Sequence, residues 1–362
     1  MKPIAQVGTR TAHPGSLFTA IVALFLTLVT PVARAHHSFG EFDQQRTVEI
    51  SGTLIDVAWQ NPHVKLKVQS TESGHTVTWD IECHSVGILS RSNLDPKVLK
   101  VGDRVKIAGN PSKSTPARMF ATNLLSAAAG HEFILAPGSP PRWNPGGPAF
   151  VMGGPPGPPS AAAISEAAPA GLFKVWGSGF EDPQAGPFAL WAGPMPLTVT
   201  AQKAVAAWDP VHDTIAKGCL PKGMPTIMEQ PYGMQLEDRG ATIALHLEEY
   251  DTVRVIHMSD NAPVPTAKSL LGHSVGRWDG SSLVVTTTGI SWPYIAPNGL
   301  PQGPSSRMVE RFTPTADGKR LQYTVTITDP ATFTKPAELH RAWLWRAGES
   351  VHPYNCGKSQ AR

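Results

Sequence analysis

Between residues 137 and 171 the chain carries too much proline and glycine to pack. Pro140-Pro141, Pro145-Gly146-Gly147-Pro148 and Gly153-Gly154-Pro155-Pro156-Gly157-Pro158-Pro159 lead into an alanine-rich piece. Proline removes a backbone donor and glycine offers a core no side chain, so such a stretch stays extended and solvated. A chain of 362 residues interrupted in this way must bury two separate cores. The expected organisation is residues 1–35 as a signal peptide, 36–136 as a first domain, 137–171 as a spacer, and 172–362 as a second domain.

The first 35 residues have the three parts of an export signal. Lys2 and Arg10 supply positive charge, Leu17 to Val29 is apolar apart from Thr19 and Thr27, and Ala33-x-Ala35 offers a small-residue cleavage site. The apolar run is shorter than the roughly 20 residues needed to cross a bilayer. Cleavage removes Lys2, Arg10 and Arg34 and no acid, which leaves a formally neutral chain. That excludes the basic footprint a nucleic-acid partner requires, and no later stretch is long enough to span a membrane. The expected location is the periplasm or the exterior. Of the three cysteines, Cys219 and Cys356 share the second domain and are expected to pair, since disulfides persist after export. Cys83 continues the alternation Val77, Trp79, Ile81 and is expected to be a buried, inert thiol.

Both domains read as mainly β. In the first, Val48–Trp59 (with Gly52 as a bulge), His63–Val68, Thr76–His84, Asp103–Gly109 and Met119–Ser126 have strand patterns, and a short helix capped by Ser85 separates the third from the fourth. Five strands with that helix position predict a small OB-like barrel. In the second, a helix over Ala201–Trp208 capped by Thr200 precedes about seven antiparallel strands. Asp279-Gly280 and Asp317-Gly318 mark hairpins. A larger antiparallel, lipocalin-like barrel or curved sheet is expected.

Two resemblances add to this reading. His36-His37-Ser38-Phe39, Gly52-Thr53, Trp59-x-Asn61-Pro62-His63 and Trp79-x-x-Glu82 resemble the DUF6152 family of small exported bacterial domains. The resemblance implies export and a small β-fold and carries no activity. This chain departs from the family pattern at Cys83-His84, where small residues are usual. Gly272-His273-Ser274-x-Gly276-x-Trp278-x-Gly280, Leu283-Val284-x-Thr286-Thr287, Glu310-Arg311-Phe312 and Asp329-Pro330 resemble an exported bacterial β-rich family of no known activity.

Chemistry has two candidate locations. Cleavage after Ala35 would leave His36 at the N-terminus, where its amine and ring nitrogen chelate one metal. With His37, His63 or His84 completing the nitrogen set, copper is the expected ion, in an arrangement that resembles a histidine brace. The second location is the larger barrel, where His246, Glu248 and Arg254 are the best acid–base and anchoring candidates, provided their parity faces inward. His257, His273, Glu310, Arg311 and His340 are further polar residues in or beside strands. Three functions remain open. The leading one is an exported binding protein for a small apolar or aromatic ligand, with copper at its N-terminus. The alternatives are a cofactor-free lyase, isomerase or hydrolase acting in the larger barrel, and an envelope structural protein.

Overall fold

The computed structural model describes residues 41–356, except 92–93, 95, 137–138, 144–149, 152–170, 180–181, 187–188, 210–212, 214–218, 260 and 262. All described residues belong to one compact unit, Arg34–Arg362. His36 and His37, the signal and most of the spacer lie outside them.

The smaller barrel contains β1 (Val48–Ala58), β2 (Lys65–Glu72), β3 (His75–Glu82), α1 (Val86–Arg91), β4 (Arg104–Pro111) and β5 (Arg118–Ser126). The strands run β3-β2-β1-β4-β5, and parallel pairing of β3 with β5 closes the ring. This is the order of an OB barrel. The alternating residues Leu54, Leu66, Val68, Ile81, Ile107 and Met119 fill its core with Leu89 of α1. Ser85 Oγ accepts the amide of Ile88 at 3.4 Å, as its cap position requires. Cys83 is fully buried in this core, and burial pushes its thiol pKa up.

Gly52 is not at the bulge expected from sequence. The register shifts instead between Leu54 and Asp56. Gly52 serves close approach: a Cβ there would lie 2.3 Å from the carbonyl oxygen of Gln69 on the neighbouring strand. Two strands were not anticipated, β6 (His131–Ile134) and β7 (Phe150–Val151), which extend the sheet beyond β5. The start of the spacer is held down rather than loose. Buried Glu132 accepts the amides of Arg142 at 2.8 Å and Trp143 at 3.0 Å, and Lys106 lies over the Trp143 ring.

The larger barrel closes with nine strands rather than seven. They are β8 (Val175–Gly177), β9 (Gly233–Asp238), β10 (Thr242–Leu247), β11 (Thr252–His257), β12 (His273–Asp279), β13 (Ser282–Thr288), β14 (Arg307–Pro314), β15 (Arg320–Thr328) and β16 (Ala337–Trp345). The two unexpected strands, β8 and β9, join β16 to β10 and complete the ring. Every pairing is antiparallel except the short β11–β12 contact. The hairpins fall where expected, and Gly280 and Gly318 adopt positive φ at the turns. Helix α2 (Val199–Ala207) begins two residues earlier than predicted, because Thr198 and not Thr200 accepts the amide of Ala201.

The two barrels touch directly. Arg91 donates to both carboxylate oxygens of Glu349 at 3.0 Å and to the Ser178 carbonyl at 3.1 Å. Asn61 Nδ2 donates to Glu248 Oε1 at 2.8 Å and to the Pro353 carbonyl at 3.4 Å.

Candidate functional site

The inward parity of the larger barrel is apolar on most strands: Ile243, Leu245 and Leu247 on β10, Leu321, Tyr323, Val325 and Ile327 on β15. Trp176, Phe312 and Trp343 are fully buried and fill the lumen between them. One polar belt crosses this interior. It takes one inward residue from each of five successive strands: Arg254, Ser274, Thr287, Glu310 and Tyr323. Arg254 bonds both oxygens of Glu310, one of them at 2.8 Å, and donates to Ser274 Oγ at 3.1 Å and Thr287 Oγ1 at 2.7 Å. Its remaining N–H faces Met228 Sδ at 4.0 Å. Tyr323 OH donates to Glu310 at 2.8 Å and Thr287 to its other oxygen at 3.1 Å. All five guanidinium donors are thereby directed at protein atoms. The belt holds strands in register and leaves Arg254 nothing with which to hold a substrate.

The other two residues expected beside Arg254 do not join it. His246 has the opposite parity to Leu245 and Leu247, so it faces outward, with Glu237 at 3.0 Å and Arg239 at 3.2 Å. Glu248 lies just past the end of β10, buried at the contact between barrels, where it accepts Asn61 and the His352 amide. An acid–base trio of His246, Glu248 and Arg254 is therefore not assembled. Glu310 and Arg311, adjacent in sequence, also separate: Glu310 enters the belt, while Arg311 pairs with Asp279 outside. His340 pairs with Glu338 on the exposed face of β16. His257 and His273 place their rings 5.1 Å apart at the β11–β12 junction.

A second polar group lies nearer the barrel's end. Glu229 is 6% exposed, neither of its oxygens has a hydrogen-bond partner, and Arg341 Nη1 is 3.9 Å away. Burial pushes Glu229 up to about 7 against the pull of Arg341, and burial likewise pushes Glu248 up to about 7. Both carboxyls hold their protons in the folded chain after the unfolded chain has lost its own. The stability they contribute is present below about 4.5, the ordinary carboxyl value, and is lost as pH rises towards about 7. Glu229→Gln should therefore gain stability relative to the parent between pH 5 and pH 8, by an upper bound of about 3 kcal/mol. Urea midpoints of the two proteins at both pH values measure it, and the difference cancels every other titrating group.

Beside this end lies a recess of about 330 Å³, lined by Pro221, Tyr250, Asp251, Tyr354, Asn355 and the Cys219–Cys356 disulfide. The disulfide is the one expected from sequence. Tyr354 meets Tyr250 and Tyr232 with ring centroids 5.0 and 5.3 Å away. Among the described residues, five besides glycine have positive φ, and three of them, Tyr250, Asp251 and Asn355, line this recess. Left-handed backbone is costly for a bulky side chain. Asp and Asn adopt this region readily, so the cost falls on Tyr250, whose backbone is held there by its surroundings. No pattern in the sequence joins the residues lining the recess, which come from three distant segments. A second recess, of about 440 Å³, opens at the barrel mouth beside Ile243, Met258, Gly276 and exposed Trp278.

Of the four histidines expected from sequence as metal ligands, His63 and His84 fall within the described residues, in the smaller barrel. Val64 and Cys83 exchange backbone hydrogen bonds with their neighbours across the strand ends, and Val64 N–H reaches the His84 carbonyl at 3.1 Å. The rings of His63 and His84 stand edge-on to Phe120, at 6.2 and 4.9 Å. His63 Nδ1 is hydrogen-bonded to Glu82, Glu82 accepts Arg118 at 2.8 Å, and Arg118 reaches Glu41 at 2.7 Å. Burial opposes ionisation of Glu82, but His63 and Arg118 outweigh it and hold the carboxyl below its usual range. Burial takes His84 down to about 3, so its ring is neutral at pH 7. Among the described residues, no group of three or more His, Cys, Asp or Glu is arranged to hold a metal ion.

The fold and these clusters define a two-barrel β protein whose smaller barrel has OB topology and whose larger one is closed around a filled, belted lumen. Residues 25–119 match the model of DUF6152, a family of unknown function. No curated protein matches the chain. Among solved structures, two crystal forms of a mitochondrial single-stranded DNA binding protein from S. cerevisiae are similar over 23% of this chain and 92% and 93% of theirs. Their identities are 13% and 12%, with TM-scores of 0.20 and 0.19. Among the described residues, no helix is long and apolar enough to cross a membrane.

Proposed function

We propose that the chain is an exported two-barrel binding protein and that it takes a small apolar or aromatic molecule in the recess beside the Cys219–Cys356 disulfide. The observation that carries this reading is the gathering of Tyr250, Asp251 and Asn355, all in left-handed backbone, around an aromatic-walled hollow. Backbone strain persists where surrounding structure enforces it, and it concentrates at binding and catalytic sites. The lumen, by contrast, is occupied by large side chains and by the belt, which moves the expected ligand site from the barrel interior to its end. Benzyl alcohol is expected to raise the unfolding temperature of the mature chain, and Tyr250→Ala to abolish the rise. A rise that survives Tyr250→Ala contradicts the reading.

A second reading concerns copper and the smaller barrel. It is favoured by the edge-on approach of His63 and His84 to one ring, Phe120, which also meets Phe42 near the start of the described residues. His36 is five residue steps from Glu41, a reach of at most roughly 18 Å. On this reading, cleavage after Ala35 frees the His36 amine, and His36 or His37 joins His63 and His84 in a nitrogen set suited to Cu(II). Mature chain is expected to bind one equivalent of Cu(II), with a nitrogen-rich paramagnetic resonance spectrum and at least tenfold weaker binding in His63→Ala and in a chain extended before His36. Equal binding by all three would contradict it.

A further inference from the structure

Among the described residues, two carboxylates lie at or next to the lining of the recess beside the disulfide, Asp251 and Glu249, and one of them is paired with a cation, Lys222. Asp251 lines it, with one oxygen accepting the Tyr354 amide at 2.9 Å. Glu249, the residue before Tyr250, is 4% exposed; one of its oxygens takes Lys222 at 2.7 Å, and the other has no hydrogen-bond partner. The charge of Glu249 acts on Tyr232, Tyr250 and Tyr354 alike and, with burial, holds their hydroxyls above the usual tyrosine range. An aromatic face carries negative π density that attracts a cation, and a partly desolvated carboxylate does so more strongly than one in water. An unpartnered buried carboxylate oxygen is costly until something donates to it.

We propose, resting on the reading of this recess as a ligand site, that it selects organic cations: an amine or quaternary ammonium joined to a small apolar body. The apolar body packs on Pro221, the disulfide and the tyrosine rings. The cationic end lies between the tyrosine faces and the two carboxylates. A neutral ligand of the same shape forgoes the charge term, and an anion meets repulsion.

Three probes of nearly equal size separate the cases: benzylamine, benzyl alcohol and benzoate, titrated calorimetrically into the full mature chain at pH 7. Benzylamine is expected to bind at least about tenfold more tightly than benzyl alcohol, with benzoate weakest. Glu249→Gln and Asp251→Asn keep the Lys222 and Tyr354 hydrogen-bond acceptors, and each should reduce the ratio of benzylamine to benzyl alcohol affinity several-fold. Benzyl alcohol binding as tightly as benzylamine would overturn the cation preference and leave the recess reading standing. Failure of all three probes would overturn both. A preference that persists unchanged in both variants would also overturn the assignment to these carboxylates.

Discussion

Glu310→Ala is expected to destabilise the larger barrel by about 3–5 kcal/mol. Arg254 is 1% exposed and Glu310 fully buried, so removing the acid leaves a guanidinium in the lumen with no counter-charge and no route to water. It also removes the acceptor of Tyr323 OH and of Thr287. Unpaired buried charge is the costly element, more than the loss of attraction itself. Arg254→Ala should cost less, because Tyr323 and Thr287 still donate to Glu310. Replacing both, as Arg254→Met with Glu310→Leu, should recover part of the loss, since no charge is then left unpaired while Tyr323 OH and Thr287 still lack their acceptor. Urea unfolding of the single and double variants gives the coupling directly. Strictly additive losses would show that the two residues do not act as a unit.

Cys219→Ser with Cys356→Ser is the second large effect. The disulfide joins positions 137 residues apart. Chain entropy for so long a loop gives roughly 5 kcal/mol, and measured losses on removing native disulfides run about 2–5 kcal/mol. The bond also forms one wall of the recess, so ligand binding should weaken at temperatures where the variant is still folded. Loss of stability with unaltered binding would show that the bond serves the barrel alone.

Much of the architecture was legible because strand alternation and turn chemistry are local signals. Asp279-Gly280 and Asp317-Gly318 located two hairpins, and the spacing around Ser85 located the OB helix. The strands β8 and β9 escaped notice for a physical reason: Val175–Gly177 is three residues long and is stabilised by pairing on both sides, not by its own pattern. Sequence parity left the inward face of β11 open. Val253 and Val255 look like the buried set, yet they are 43% and 44% exposed while Arg254 points inward. The belt explains this, because Ser274, Thr287, Glu310 and Tyr323 satisfy Arg254 in a way that only the assembled strands can provide. Glu248 reads as a strand residue and becomes a contact between barrels through Asn61, which lies 187 positions away. The disulfide followed from compartment and cysteine count. The recess did not, since left-handed Tyr250, Asp251 and Asn355 have no sequence signature and meet only in the folded chain.

The smaller barrel and the larger one suggest a division of labour. The cluster His63–Glu82–Arg118–Glu41 ties the first described residue to the OB barrel, and Asn61, two residues before His63, anchors that barrel to its neighbour. The belt makes the larger barrel a rigid support, and the disulfide end presents the strained, aromatic hollow.

The central claim, that ligand enters the recess beside the disulfide and not the lumen, is tested most directly by nuclear magnetic resonance. Benzylamine titrated into isotopically labelled mature chain should shift the backbone amides of Tyr250, Asp251, Asn355 and Cys356 while leaving those of Ser274, Glu310 and Val325 in place. Largest shifts at the lumen strands, or none anywhere at millimolar benzylamine, would contradict it.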